Sequence, residues 1–224
     1  MALIDGPRLP PRTGGKADCL VVLLHGYGAD GRDLIDLGGA FADLLPGAAF
    51  VAPHAPEACA QAPTGRQWFP LTSPDPHELA KGADAAWPVL RSFLAQELDR
   101  LGLPASRLAL VGFSQGTMMA LHAATAGKVA AAAVLGYSGL WTDAQQSPAL
   151  AGVPPILLIH GTQDEVIPAG ALFGSAYALA AAGAAVQWHL CHGLGHGIDE
   201  AGLMMGGAFL SEMLGRAPRQ ASQE

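Results

Sequence analysis

Three short frames in this sequence hold side chains that together could perform covalent chemistry at a carbonyl carbon. Ser114 sits in Gly112-Phe-Ser-Gln-Gly116, Asp164 in Gly161-Thr-Gln-Asp-Glu165, and His196 in Gly193-Leu-Gly-His-Gly197. A serine hydroxyl is a poor nucleophile until an imidazole takes its proton. That imidazole needs an acid to hold its tautomer and to stabilise its cationic form.

The serine frame is the most informative of the three. Leu108-Ala-Leu-Val-Gly-Phe113 reads as a buried strand, and Thr117 to Ala126 reads as an alanine-rich helix without proline. A serine between them would sit in a sharp, strained turn, a nucleophile elbow. Glycines on both sides let strand and helix approach closely, because they carry no Cβ to clash. The N–H groups of the following helix would face the place where an oxyanion forms. A capping serine in an ordinary glycine-rich turn has the same five-residue pattern. The apolar strand before it and the helix after it favour the elbow.

Open parallel sheets bind ligands beyond the carboxyl ends of their strands, so the acid and the imidazole are sought there. Asp164 lies in a tight turn after the strand Pro155–His160, where backbone N–H groups can hold a short acid. Glu165 is its competitor, and either acid could instead cap the next helix. His196 precedes the last helix and is flanked by glycines, with His192 as the alternative. His160, His189, His122, His54 and His77 read as structural, and His25 as orienting the first loop. The oxyanion donors would be the backbone N–H of Gln115 and that of Tyr27 in His25-Gly-Tyr-Gly-Ala-Asp-Gly31. His189, Cys191, His192 and His196 crowd together, but no paired metal-ligand frame exists, so no metal and no cofactor are expected.

The elements that must position these residues alternate along the chain. Cys19–Leu24, Ala49–Pro53, Leu108–Phe113, Val129–Leu135, Pro155–His160 and Val186–Leu190 read as strands, most of them apolar throughout. Helices are expected at Leu34–Leu45, Glu78–Leu101 with a kink at Pro88, Ala169–Ala182 and Asp199–Leu214. This is the pattern of an α/β fold, a mainly parallel sheet with helices on both faces. Residues 5–16 read as an irregular entry arm, and the tail from Gly215 as frayed. The long segment 54–77 holds Trp68 and Phe69, which either plug the loop onto the body or wall a substrate pocket. With Leu71 they are also a candidate patch for a homodimer.

Composition limits the alternatives. The 224 residues suit one domain, with a core over about 19–214. Apolar residues make up 50% and charged residues 14%, which excludes disorder. A net charge of −7 offers no footprint for nucleic acid. The three cysteines are odd in number and widely spaced, unlike a disulfide framework. No apolar run approaches the length of a membrane span, and the N-terminus has no apolar leader core, so a soluble cytoplasmic protein is the default expectation.

Taken together, Leu24-His-Gly-Tyr-Gly-Ala-Asp-Gly31, Gly112-Phe-Ser-Gln-Gly-Thr-Met-Met-Ala120, His160-Gly-Thr-Gln-Asp-Glu-Val-Ile-Pro168 and Gly195-His-Gly197 resemble the phospholipase/carboxylesterase family of α/β-hydrolases. The resemblance covers about Cys19 to Leu214. It implies the α/β-hydrolase fold without a large cap domain. It implies Ser114 as nucleophile, Asp164 and His196 as its partners, and Tyr27 and Gln115 as oxyanion donors. It also implies that Arg66-Gln-Trp-Phe69 corresponds to an aromatic loop beside the acyl pocket, with Trp68 and Phe69 touching substrate. Pro70 stands where eukaryotic thioesterase members usually carry an acid. That departure favours a bacterial-type hydrolase of small to medium acyl esters over an acyl-protein thioesterase or lysophospholipase acting on long chains. A peptidase, an acyltransferase and a non-catalytic binding scaffold are the remaining alternatives.

Overall fold

The computed structural model describes residues 3–143 and 149–216. The central strands are runs of buried, mainly apolar residues whose side chains point alternately to the two faces of the sheet. In β2 (Cys19–Leu24), Leu20, Val22 and Leu24 enter one core, and Cys19, Val21 and Leu23 the other. Such a strand is stable only when both faces are covered.

The first strand, β1 (Arg8–Leu9), was not expected. It pairs antiparallel with β3 (Ala48–Val51), Arg8 opposite Val51, so the entry arm is partly ordered as a sheet edge. Two residues are too few to show periodicity, and pairing to a neighbour fixes them. Two further short strands, β4 (Glu57–Ala58) and β5 (Arg66–Gln67), form a separate hairpin inside the long 54–77 segment.

The main sheet continues with β6 (Leu108–Phe113), β7 (Ala133–Tyr137), β8 (Ile156–Gly161) and β9 (Val186–Cys191). Its order is β1-β3-β2-β6-β7-β8-β9, parallel apart from β1. The strand expected at Val129–Leu135 is shifted. Its ladder begins where β6 begins, with Ala133 opposite Ala109. It then runs on through Gly136, whose missing Cβ leaves room for Thr117. A run of alanines carries no boundary signal, so register decides.

Among the described residues five α-helices cover the sheet: α1 (Gly31–Phe41), α2 (Pro76–Leu101), α3 (Gln115–Ala124), α4 (Gly170–Ala181) and α5 (Glu200–Gly215). Buried residues of α2, α3 and α4 fill one core, and those of α1 and α5 the other. No large cap domain lies over the strand ends among the described residues. Helix starts follow local chemistry. Asp30 forms a capping box with Asp33, Asp75 precedes Pro76 at the first turn of α2, and Asp199 caps α5. Helix α2 runs through Pro88 without interruption and ends at Gly102, which is left-handed at φ 67°. Helix α1 stops at Phe41, short of the expected Leu45, and α3 begins at Gln115, earlier than expected. Helix α5 reaches Gly215, into the tail expected to fray; residues beyond Arg216 lie outside the described residues.

The proposed dimer patch is not on the surface. Trp68 and Phe69 are buried at 1% and 2% exposure, and a hydrophobic patch needs exposed side chains. Among the described residues no helix is long and apolar enough to cross a membrane.

Candidate active site

Ser114 sits between β6 and α3 with φ 54° and ψ −116°. A non-glycine residue at positive φ is strained, and it persists only where its surroundings force it. Here they do. Ser114 N–H donates to Tyr137 O at 2.9 Å, and Thr117 Oγ1 donates to the same carbonyl at 2.8 Å. A Cβ on Gly116 would lie 1.8 Å from Leu24 O, and one on Gly112 would lie 2.4 Å from the Gly116 carbonyl carbon. Strand and helix can therefore meet at this angle only through glycine.

Asp164 follows β8 and its side chain is fully buried. Its Oδ1 accepts the N–H groups of Val166 and Ile167, both at 2.9 Å. Its Oδ2 accepts from His196 Nδ1 at 2.8 Å. Burial pushes the Asp164 carboxyl up, but the hydrogen bond from His196, the two backbone bonds and the nearby imidazole outweigh it. The group is held below the usual aspartate value. Glu165, the competing acid, is exposed.

His196 follows β9 in a loop strapped to the acid's loop. Gln163 N–H donates to Leu194 O at 2.8 Å, and Gly193 N–H donates to Thr162 Oγ1 at 2.8 Å. Ser138 Oγ donates to Gly197 O at 3.1 Å and ties the loop to the end of β7. The imidazole is 5.0 Å from the ring of Phe113, centroid to centroid, so it lies beside the elbow. Bonding through Nδ1 selects the neutral tautomer with a bare Nε2, the form that can accept a serine proton. Ser114 Oγ and His196 form no hydrogen bond among the described residues; such contacts commonly tighten when substrate binds. His192, the alternative imidazole, is exposed.

The loop after β2 lies against the serine: a Cβ on Gly26 would be 3.3 Å from Ser114 Cβ. His25 is fully buried, and both its nitrogens are used. Nδ1 donates to Gly26 O at 2.8 Å and Nε2 accepts Ala55 N–H at 3.0 Å. This is the neutral Nδ1–H form, and burial holds the pKa of His25 below the ordinary value. The peptide joining Gly26 to Tyr27 is trans, so fixing Gly26 O aims Tyr27 N–H the opposite way. Gln115 N–H, at the first position of α3, has no intrahelical partner. Tyr27 N–H and Gln115 N–H thus donate to no group among the described residues.

A cavity of about 360 Å³ opens beside Ser114. Leu71, Leu79, Met118, Leu140, Ile167 and Ala171 give it apolar walls, and no charged side chain lines it among the described residues. Trp68 and Phe69, expected in contact with substrate, do not line it. Phe69 packs on Gly82 of α2, and Trp68 is bonded to His25 and Gln115. The wall comes from the next residues of the same segment, Leu71 to Pro74. Aromatic character alone cannot tell a wall from the packing behind it.

His160, read as structural from the sequence, has its structural place against the acid's turn. Buried at the end of β8, its Nε2 donates to Ile167 O at 2.7 Å and lies 3.1 Å from Asp164 Oδ2. It braces the turn that holds the acid. The four-residue spacing from His160 to Asp164 was visible but pointed only to a strand end. Among the described residues no group of three or more His, Cys, Asp or Glu could hold a metal ion.

The profile described as Phospholipase/Carboxylesterase matches residues 12–214. Esterase YpfH of Escherichia coli (strain K12) is 31% identical over 183 residues, covering 82% of this chain and 78% of that protein. Acyl-protein thioesterase 1 of Schizosaccharomyces pombe (strain 972 / ATCC 24843) is 27% identical over 161 residues, covering 66% and 69%. The crystal structure of esterase PE8 is similar with a TM-score of 0.89 at 41% identity, covering 95% of this chain and 100% of that one.

Proposed function

This chain belongs to the phospholipase/carboxylesterase family of α/β-hydrolases, whose members are serine hydrolases of carboxylic esters, and we propose that it cleaves small to medium neutral acyl esters through Ser114, His196 and Asp164. The observation that carries this reading is the hydrogen bond from His196 Nδ1 to buried Asp164 Oδ2 in a loop beside the Ser114 elbow.

In this reading Ser114 Oγ attacks the ester carbonyl carbon and its proton passes to His196 Nε2. The tetrahedral oxyanion accepts hydrogen bonds from Tyr27 N–H and Gln115 N–H. His196 then protonates the departing alkoxide, leaving an acyl group on Ser114. Water attacks that acyl-enzyme with His196 as base and releases the acid. Asp164 keeps the imidazole in the useful tautomer and stabilises its cation. The largely apolar cavity suits a neutral acyl chain, and among the described residues it offers no cationic side chain to pair with a carboxylate or phosphate. The chain is read as one hydrolase domain with its core over about 19–214, in keeping with a sheet whose strands run from Arg8 to Cys191.

The test is hydrolysis of nitrophenyl esters from acetate to palmitate beside matched acyl thioesters, with Ser114→Ala as control. Turnover that survives in Ser114→Ala overturns the nucleophile. An optimum at palmitate, or a thioester preference, overturns the small-ester assignment while leaving the family intact.

A further inference from the structure

Trp68 is a large, fully buried side chain that the proposed reaction leaves without a task. Its contacts are specific. Its backbone N–H donates to Gln115 Oε1 at 3.0 Å, and Gln115 Nε2 donates back to Phe69 O at 2.7 Å. Its indole N–H donates to His25 O at 3.0 Å. Its ring lies 5.7 Å from the imidazole of His25, tilted by 35°.

These contacts reach both halves of the oxyanion site. Gln115 is the first residue of α3, and Tyr27 belongs to the loop after β2. The two donors sit on different elements, so their separation depends on what bridges those elements. Trp68 is bonded to the Gln115 side chain on one side and to the His25 carbonyl on the other. His25 in turn fixes Gly26 O, and through the trans peptide sets the direction of Tyr27 N–H.

We propose that Trp68 is a positioning residue for the oxyanion site, holding Tyr27 N–H and Gln115 N–H at the spacing a tetrahedral oxyanion requires. The proposal rests on the reading of Ser114, Tyr27 and Gln115 given above. Its physical basis is tolerance: such donors must be held to within about 0.5 Å to act, and loss of one costs on the order of 10²–10³ in kcat. A tether that lets one donor drift removes part of that factor without touching the acyl group.

Trp68→Phe keeps an aromatic ring against His25 and deletes the indole N–H together with part of the ring volume. Its kcat should fall about tenfold to a hundredfold with KM changed less than about threefold. Affinity for an alkyl boronic acid, whose tetrahedral adduct places an oxygen in the oxyanion site, should fall in parallel with kcat/KM. Gln115→Leu cuts the other arm of the bridge while keeping the Gln115 backbone N–H, and should show the same pattern if Trp68→Phe fails to fold. A lowered Tm with kcat and boronate affinity unchanged would overturn the proposal in favour of simple packing. A raised KM with a shifted chain-length optimum and constant kcat would overturn it in favour of a pocket wall. The burst amplitude of a fluorophosphonate on the wild-type protein separates the two levels. No label at Ser114 defeats the esterase reading itself, whereas full labelling with unaltered boronate affinity in both variants defeats this proposal alone.

Discussion

The 2.8 Å hydrogen bond between His196 Nδ1 and Asp164 Oδ2 joins loops that leave two neighbouring parallel strands, β8 and β9. The acid is rigid before the bond forms, because Oδ1 is already held by two backbone N–H groups. The imidazole therefore takes its orientation from the acid, and the acid takes its own from the turn.

Replacing Asp164 by Asn tests that order of dependence. The amide can present its NH₂ to Nδ1 and reverse the imidazole tautomer, so Nε2 would carry the proton it is meant to accept. A kcat loss of about 10⁴ is expected. Steady-state kinetics with nitrophenyl acetate measure it, and a loss below about tenfold would remove Asp164 from the relay.

Ser114 separates activity from stability. Ser114→Ala should lower kcat by up to about 10⁶ with little change in fold. Ser114→Gly should be equally inactive yet more stable than wild type by about 1 kcal/mol, because glycine accepts φ 54° without strain. Urea unfolding of the three proteins checks the sign; a destabilised Ser114→Gly would mean that the elbow is not strained.

If the cavity beside Ser114 holds the acyl group, chain-length preference should respond to its volume. Ala171 lines it, and Ala171→Phe should fill the part beyond the reacting carbonyl. Preference should shift toward acetate, with each methylene excluded costing about 0.8 kcal/mol, or about fourfold in kcat/KM. An unchanged chain-length profile would place the acyl group elsewhere.

Acid should destabilise the protein through His25. Its native pKa is depressed by burial, so the unfolded chain takes up a proton that the native state refuses. Stability should therefore decline as pH falls below the ordinary histidine value of 6.5 and continue to decline toward the native pKa. One proton corresponds to about 1.4 kcal/mol per pH unit. His25→Gln, whose Oε1 can still accept Ala55 N–H, should be less stable at pH 7.5 but lose less on going to pH 5. An equal slope in both proteins would show that His25 titrates normally.

The central strands were legible because their apolar runs and terminal glycines are local signals, and the Gly112–Gly116 frame states its own geometry. The pairing of Asp164 with His196 was anticipated from chain order and loop position. What escaped depended on contacts distant in sequence. Arg8 and Leu9 become a strand only because Val51 and Phe50 lie beside them. Trp68 and Phe69 carry no mark of which side of the pocket they occupy; the bonds to His25 and Gln115 decide it. His160 looked like the end of a strand until the chain folded Ile167 back onto it.

The sheet order has a consequence for the chain as it is being made. Ser114 rides on central β6, whereas Asp164 and His196 follow β8 and β9, which leave the ribosome after it. The elbow can form while its partners are still unsynthesised, and in that interval its hydroxyl is an ordinary alcohol. Under the proposed mechanism, reactivity should appear only when β9 docks and delivers the imidazole. Fluorophosphonate labelling of stalled nascent chains would then serve as a clock for completion of the sheet.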